Sequence, residues 1–412
     1  MNIGALLLII LIGLVLLGMP VSLSIGIASL ACIHYGGYQT IILPQKMFSG
    51  VDSFVLLAIP YFVLAGNIMG KGGITNKVLD FAAAAFGWLK GSLAIITVTA
   101  SAIFAALTGS GVATASAIGG LMIPSMEKDG YDKHFATAVT CNAAILGPLI
   151  PPSIFLINYG NAAEQDVSAL FRAAIIPGVF MAFTMAVYCY WYAKKHNLHA
   201  GEKFSAKKTW KSVKDGIWAL LMPVVLLGVI FGGVCTPTEA AAVACAYTFI
   251  VALVIYRTIG VKEAFVILQE SALSAAVMMF LMGCSHISGW VLAVSKVPTM
   301  IANAILSWSD NPFLIMLLIN AFLLVVGMFM EANAAIVILT PILLPIATAC
   351  GLSPIQFGVV LCVNLCMGLV TPPVGGCLHI GTMIANTKIE KVFIKCLPFL
   401  IVELVTLALV TA

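Results

Sequence analysis

The chain has 412 residues, 62% of them hydrophobic and only 9% charged, with a mean hydropathy of +1.12 and a net charge of +4. So little charge excludes a water-soluble globular domain of this size, and apolar runs that continue rather than alternate exclude a water-filled barrel, leaving an all-α polytopic membrane protein in the lipid bilayer. No basic stretch interleaved with aromatics points to nucleic acid, and the eleven cysteines stand singly in apolar runs without C-x-x-C spacing, as small core residues do.

A hydrocarbon layer about 30 Å thick needs ~20 apolar residues per spanning helix. In chain order the sequence predicts spans at 3–18, 21–38 and 53–70, then an amphipathic connector at 74–88. A long apolar stretch with a polar break follows at 89–126, then a Pro-broken span at 131–160 and a span at 168–193. The opening run Gly4 to Leu17 has no preceding basic residue and no small-x-small cleavage site, so it is expected to be a retained span rather than a signal peptide. Residues 194–215, which include Lys194, Lys195, Lys203 and Lys207, form a basic connector that the positive-inside rule assigns to the cytoplasm. The same order then returns: spans at 216–233, 237–256 and 264–292, a connector at 297–308, a broken apolar stretch at 312–349, a Pro-broken span at 354–385 and a last span at 390–411.

The return is residue by residue. A shift of 221 positions carries Pro124 onto Pro345, Gly130 onto Gly351, Cys141 onto Cys362, Gly147 onto Gly368, Pro151-Pro152 onto Pro372-Pro373 and Pro177 onto Pro398. We read two repeats, 1–193 and 216–412, joined by the connector 194–215. The broken stretches 89–126 and 312–349 are expected to be re-entrant hairpins, because their tips, 108–111 and 331–333, carry no basic anchor. Five true spans per repeat then invert the second repeat, place both termini in the periplasm, and leave only Lys46, Arg172 and Lys296 outside.

Non-helical backbone at membrane depth is tolerated only where protein or a polar cavity surrounds it. Pro151 and Pro152 lack amide hydrogens, so the carbonyls of residues 147–150 are expected to leave the helix ladder and to suit a small cation. Pairing each tip with the break in its own half gives two candidate sodium sites. The first is Gly109, Ser110, Gly111, Gly147 and Ile150; the second is Met330, Asn333, Gly368 and Thr371. Pro372 and Pro373 repeat the break chemistry. Candidate substrate contacts are Ser153, Asn158, Asn333 and His379, with Gly375 and Gly376 permitting close backbone approach. Broken helices would aim N-terminal amides at an anionic ligand. Glu239 is expected to cap the helix that follows Thr236, and Asp52 to cap in the same way before Ser53 and Phe54. For Glu331, inside a tip, backbone capping and ion binding both remain open, and His286 reads as a packing residue rather than a relay.

Five separated motifs carry a resemblance: Asp52-Ser53-Phe54 with Ile59-Pro60 and Ala65-Gly66, Gly109-Ser110-Gly111 with Ala113-Thr114, Ile150-Pro151-Pro152-Ser153, Thr236-Pro237-Thr238-Glu239-Ala240, and Thr371-Pro372-Pro373-Val374-Gly375. In this order they resemble the DctM family, the large membrane subunit of tripartite ATP-independent periplasmic (TRAP) transporters. The resemblance implies an elevator-type scaffold and transport domain, sodium as coupling ion, and no other cofactor. It also implies a separate small membrane subunit of about four helices, a periplasmic substrate-binding protein, and a small organic acid such as a C4-dicarboxylate or a sialic acid as cargo, in a bacterial inner membrane. Two other readings compete. A stand-alone divalent-anion/sodium symporter would share the hairpins and lack the partners, whereas an intramembrane enzyme would need a catalytic signature, and neither H-E-x-x-H nor G-x-S-x-G occurs.

Overall fold

The computed structural model describes residues 3–198, 205–296, 300, 311–372 and 375–412. Apolar runs punctuated by Gly, Pro and capping side chains become helices, and no strand occurs among the described residues. The first half contains α1 (Ile3–Leu16), α2 (Val21–Tyr35), α3 (Ile42–Val51), α4 (Ala58–Lys71), α5 (Ile74–Phe86), α6 (Ser92–Thr108), α7 (Gly111–Lys128), α8 (Lys133–Ala144), α9 (Ile154–Ala162) and α10 (Val167–Lys195). The second contains α11 (Ala206–Phe231), α12 (Pro237–Ile250, continued by a π-helical turn Val251–Ile255), α13 (Val261–Val294), α14 (Pro312–Phe329), α15 (Ala332–Ala349), α16 (Pro354–Gly368), α17 (Gly376–Ala385) and α18 (Ile389–Thr411).

Six of these helices are long and apolar enough to cross a membrane: α10, α11, the α12 unit through Ile255, α13, α15 and α18. Helices end at or just before the tips and breaks singled out in the sequence: α6 at Thr108, α8 at Ala144, α14 at Phe329 and α16 at Gly368. Adding 221 to the bounds of α6 and α7 reproduces those of α14 and α15 to within one residue.

Two differences from expectation have local causes. Helix α3 was not anticipated, because Gln45 and Lys46 interrupt its apolar run; Pro44 fits its first turn, where a missing amide costs nothing. Helix α11 begins at Ala206, within the expected connector 194–215, because Ser205 accepts a hydrogen bond from the Lys208 amide (3.4 Å) and starts the helix early. Apart from Met300, the connector expected at 297–308 lies outside the described residues, as do Lys203 and Pro373.

The helices pack in two groups. In one, α13 lies on α2, α3 and α4, while α12 packs on α4 and α11 on α5. In the other, α8 packs on α6, α7, α17 and α18, and α16 on α14, α15 and α18. The broken helices occupy the middle of the second group: every residue from Phe135 to Ala144 and from Phe357 to Gly368 is buried. The groups meet chiefly through α5 on α6, α4 on α6 and α13 on α15.

Candidate functional site

At the first tip Gly109 takes a left-handed backbone (φ +62°) that ends α6, and Ser110 in extended conformation caps α7, its hydroxyl accepting from the Ala113 amide (3.4 Å). Thr114 closes the turn by donating to the Ser110 carbonyl (2.8 Å). The tip lies directly on the break between α8 and α9. The Ile154 amide reaches the Gly109 carbonyl (3.5 Å), and a Cβ on Gly147 would stand 2.7 Å from both the carbonyl carbon and the oxygen of Ser110. Within the break, Leu146 accepts from Leu149 and Ile150, and the Ser153 hydroxyl donates to Pro148. Among the described residues no hydrogen bond reaches the carbonyls of Gly147, Leu149 or Ile150. Of the first expected set, Gly109, Ser110 and Gly111 of the tip lie against the break at Gly147 and Pro152, whereas Ile150 packs against Gly178.

The second tip is built differently. Met330 ends α14 in extended conformation, and the Glu331 carboxylate caps α15 by accepting from the Ala334 amide (2.9 Å). Its other oxygen accepts from Asn333 Nδ2 (2.7 Å), and Asn333 Oδ1 accepts from Asn158 Nδ2 (2.7 Å), so a polar chain joins α9 to the second tip. The Cα side of Gly368 abuts the Gly327 backbone in the α14 arm, with no room for a side chain. At the second break Gly368 accepts from the Thr371 amide (3.2 Å), Met367 from the Thr371 hydroxyl (2.7 Å) and Leu369 from the Cys377 amide (3.0 Å), while among the described residues no hydrogen bond reaches the carbonyls of Val370 or Thr371. The two expected ion sets thus differ at the break glycine: the Gly368 carbonyl is hydrogen-bonded, and among the described residues that of its counterpart Gly147 is not. Pro151 and Pro152 form the first turn, and Pro372 enters the second.

Between the helix groups lies a cavity of about 410 Å³. The second group contributes residues 109–113, Phe155, Glu331, Asn333 and Leu369 to its wall, and the first contributes Asn67 of α4 and Ser274 of α13. Glu331 is the sole charged side chain on that wall among the described residues. Of the expected substrate contacts, Asn333 lines the cavity and Asn158 stands behind it, 1% exposed. Ser153 is spent on capping α9. Gly375 and Gly376 start α17, whereas His379 is exposed in a separate depression with Thr382 and Asn386.

The remaining assignments divide. Glu239 forms a capping box with Thr236, accepting from the Thr236 amide (2.8 Å) while Thr236 accepts from the Glu239 amide (3.3 Å). Asp52 does not cap a helix start; it follows the last residue of α3, a helix missing from the sequence reading. His286 packs against Gly50.

The description "Tripartite ATP-independent periplasmic transporter, DctM component" matches residues 8–412. The chain belongs to this family. It is 40% identical over 396 residues to the isethionate TRAP transporter permease protein DctMQ of Oleidesulfovibrio alaskensis, covering 96% of this chain and 62% of that one. It is 37% identical to the sialic acid TRAP transporter large permease protein SiaM of Vibrio cholerae (97% and 94% covered), and 36% identical to the C4-dicarboxylate TRAP transporter large permease protein DctM of the same organism (99% and 95%). The solved YdaH transporter of Alcanivorax borkumensis shares the fold, with a TM-score of 0.64 at 15% identity over 90% of this chain and 86% of that one. As a DctM component the chain is a multi-pass protein of the inner membrane. Its first-group cavity residues, Asn67 and Ser274, were not singled out from sequence. Single polar residues in long helices, they carry no motif, and only the packing of α4 and α13 brings them together.

Proposed function

We propose that this chain is the substrate-translocating subunit of a sodium-coupled importer of small organic acids, acting with a small membrane subunit and a periplasmic binding protein. Sodium ions bind at the tip–break pairs: Gly109, Ser110, Gly111, Gly147 and Ile150 in the first half, and Met330, Asn333, Gly368 and Thr371 as the counterpart in an inverted second repeat. The observation that carries the reading is a break that lies on the Ser110 tip at Gly147 and leaves the carbonyls of Gly147, Leu149 and Ile150 without a hydrogen bond among the described residues, since hard oxygen donors suit an alkali ion.

Among the described residues the cavity wall contains no basic side chain. A carboxylated guest would therefore be held by helix N-terminal amides and by the bound ions. The second helix group carries both tips and both breaks and moves as a body against the first, in elevator fashion, with the termini periplasmic. Each sodium entering down about 100 mV supplies about 2.3 kcal/mol and each negative charge on the guest costs the same, so two ions carrying a monocarboxylate retain about 2.3 kcal/mol, roughly a fiftyfold accumulation, before the sodium concentration gradient is counted.

The test is uptake into proteoliposomes containing the chain, its small subunit and the loaded binding protein. Uptake is expected to require an inward sodium gradient; uptake that persists after the gradient is collapsed rejects the coupling.

A further inference from the structure

Glu403 lies midway along α18 in the buried stripe Val392, Cys396, Phe399, Glu403, Thr406 and Leu407, with 0% of its surface exposed. The helix packs on α8, α10, α16 and α17, and both carboxyl oxygens lack a hydrogen-bond partner among the described residues. The titratable groups facing it are thiols: Cys366 of α16, Cys377 of α17 and Cys396 on its own helix. Cys141 of α8 stands behind them, its thiol reaching the Cys377 carbonyl (3.3 Å). From α10, Tyr188 packs edge-on against Phe399 one turn earlier (4.7 Å between ring centroids), and Tyr192 stacks on Phe135 of α8. Thiols and phenols carry no positive charge, and no ion pair reaches Glu403 among the described residues. An ionised carboxylate deprived of water, donors and counter-charge is strongly disfavoured; the neutral acid is not. A metal ion in place of the proton would need converging ligands, and no such group of His, Cys, Asp and Glu occurs among the described residues.

We propose that Glu403 is a proton-binding site: the packing of α18 on α8, α16 and α17 holds it as the neutral carboxylic acid, and parting of these helices admits water and releases the proton. In that step the acid O–H bond breaks, the carboxylate keeps the electron pair and water takes the proton; repacking reverses it. Because α8 leads into the first break and α16 and α17 flank the second, rearrangement at either break reaches Glu403. The inference stands independently of the sodium sites.

Infrared spectra of the full-length chain in lipid nanodiscs at neutral pH test it directly. Wild type should show a carboxylic-acid C=O stretch that shifts on deuteration and is missing from Glu403→Gln; superimposable spectra overturn the proposal. Melting temperature gives a second readout. A proton held by the folded chain and not by the unfolded one weakens the wild type as pH rises from about 5 to about 8, so the advantage of Glu403→Gln must widen with pH. A gap that stays constant overturns the proposal. Glu403→Met, similar in volume and without a titrating group, carries both measurements should the Gln variant fail to fold.

Discussion

Gly147 and Asn158 do different work at the same junction. A methyl group on Gly147 would press into the Ser110 peptide, and neither the carbonyl carbon nor its oxygen, each 2.7 Å away, can rotate aside as a side chain can. Overpacking of this kind costs about 1–3 kcal/mol, and the chain escapes it by moving the tip off the break. Gly147→Ala is therefore expected to lower sodium-dependent uptake at least ~10-fold with the protein still folded, whereas Gly120→Ala, which meets nothing within 4 Å, should leave uptake unchanged. Asn158 instead ties α9 to the second tip through Asn333. Replacing it with Ala removes a buried hydrogen bond with a net value of about 1 kcal/mol. The melting temperature should fall, and the loss should be less than additive in Asn158→Ala combined with Asn333→Ala. Fully additive losses would mean that the two amides do not act together.

Among the elements, the broken helix α8–α9 depends on its missing amide hydrogens. Pro151 and Pro152 cannot donate to the carbonyls one turn earlier, which include Gly147. Replacing both with Ala supplies two donors, so the freed carbonyls are expected to rejoin the helix ladder and sodium activation of uptake to shift to higher sodium concentration; an unchanged activation curve would separate the break from ion binding. These breaks and the hairpin tips were legible in the sequence because Gly and Pro act on their own neighbours, and the repeat at 221 positions supplied a second copy of each. Helix α3 was not legible, since a short run holding Gln45, Lys46 and Gly50 resembles a loop until α13 packs on it. The chain from Asn158 through Asn333 to Glu331 spans two halves of the sequence, and no local pattern announces it. Glu403 escaped for the opposite reason: one acid in a span of apolar residues forms no motif, and its isolation shows only when both oxygens are found without partners.

For the whole molecule, the boundary between the helix groups is the place to test movement. Gly66 of α4 faces Thr108 of α6 across it, and a Cβ at 66 would lie 3.2 Å from the Thr108 Cβ, close to the spacing a disulfide needs. Gly66→Cys with Thr108→Cys should transport when reduced, stop when oxidised and recover with reductant. Uptake that continues with the cross-link formed would rule out an elevator stroke across this boundary.

The second helix group also interlocks across the sequence. Gly111 rests against Cys377 and Leu369, Cys141 reaches the Cys377 carbonyl, and the Tyr159 hydroxyl donates to Pro354 (2.6 Å). Ribosomes deliver these partners far apart in time: α6 to α9 emerge long before residues 354–377 exist. Until the late helices arrive, the early hairpin and its broken neighbour hold unpaired peptide groups with nothing of their own chain to cover them. The insertion machinery or a chaperone must shelter them through that interval, and a stalled nascent chain ending before residue 354 should remain open to protease at 145–153.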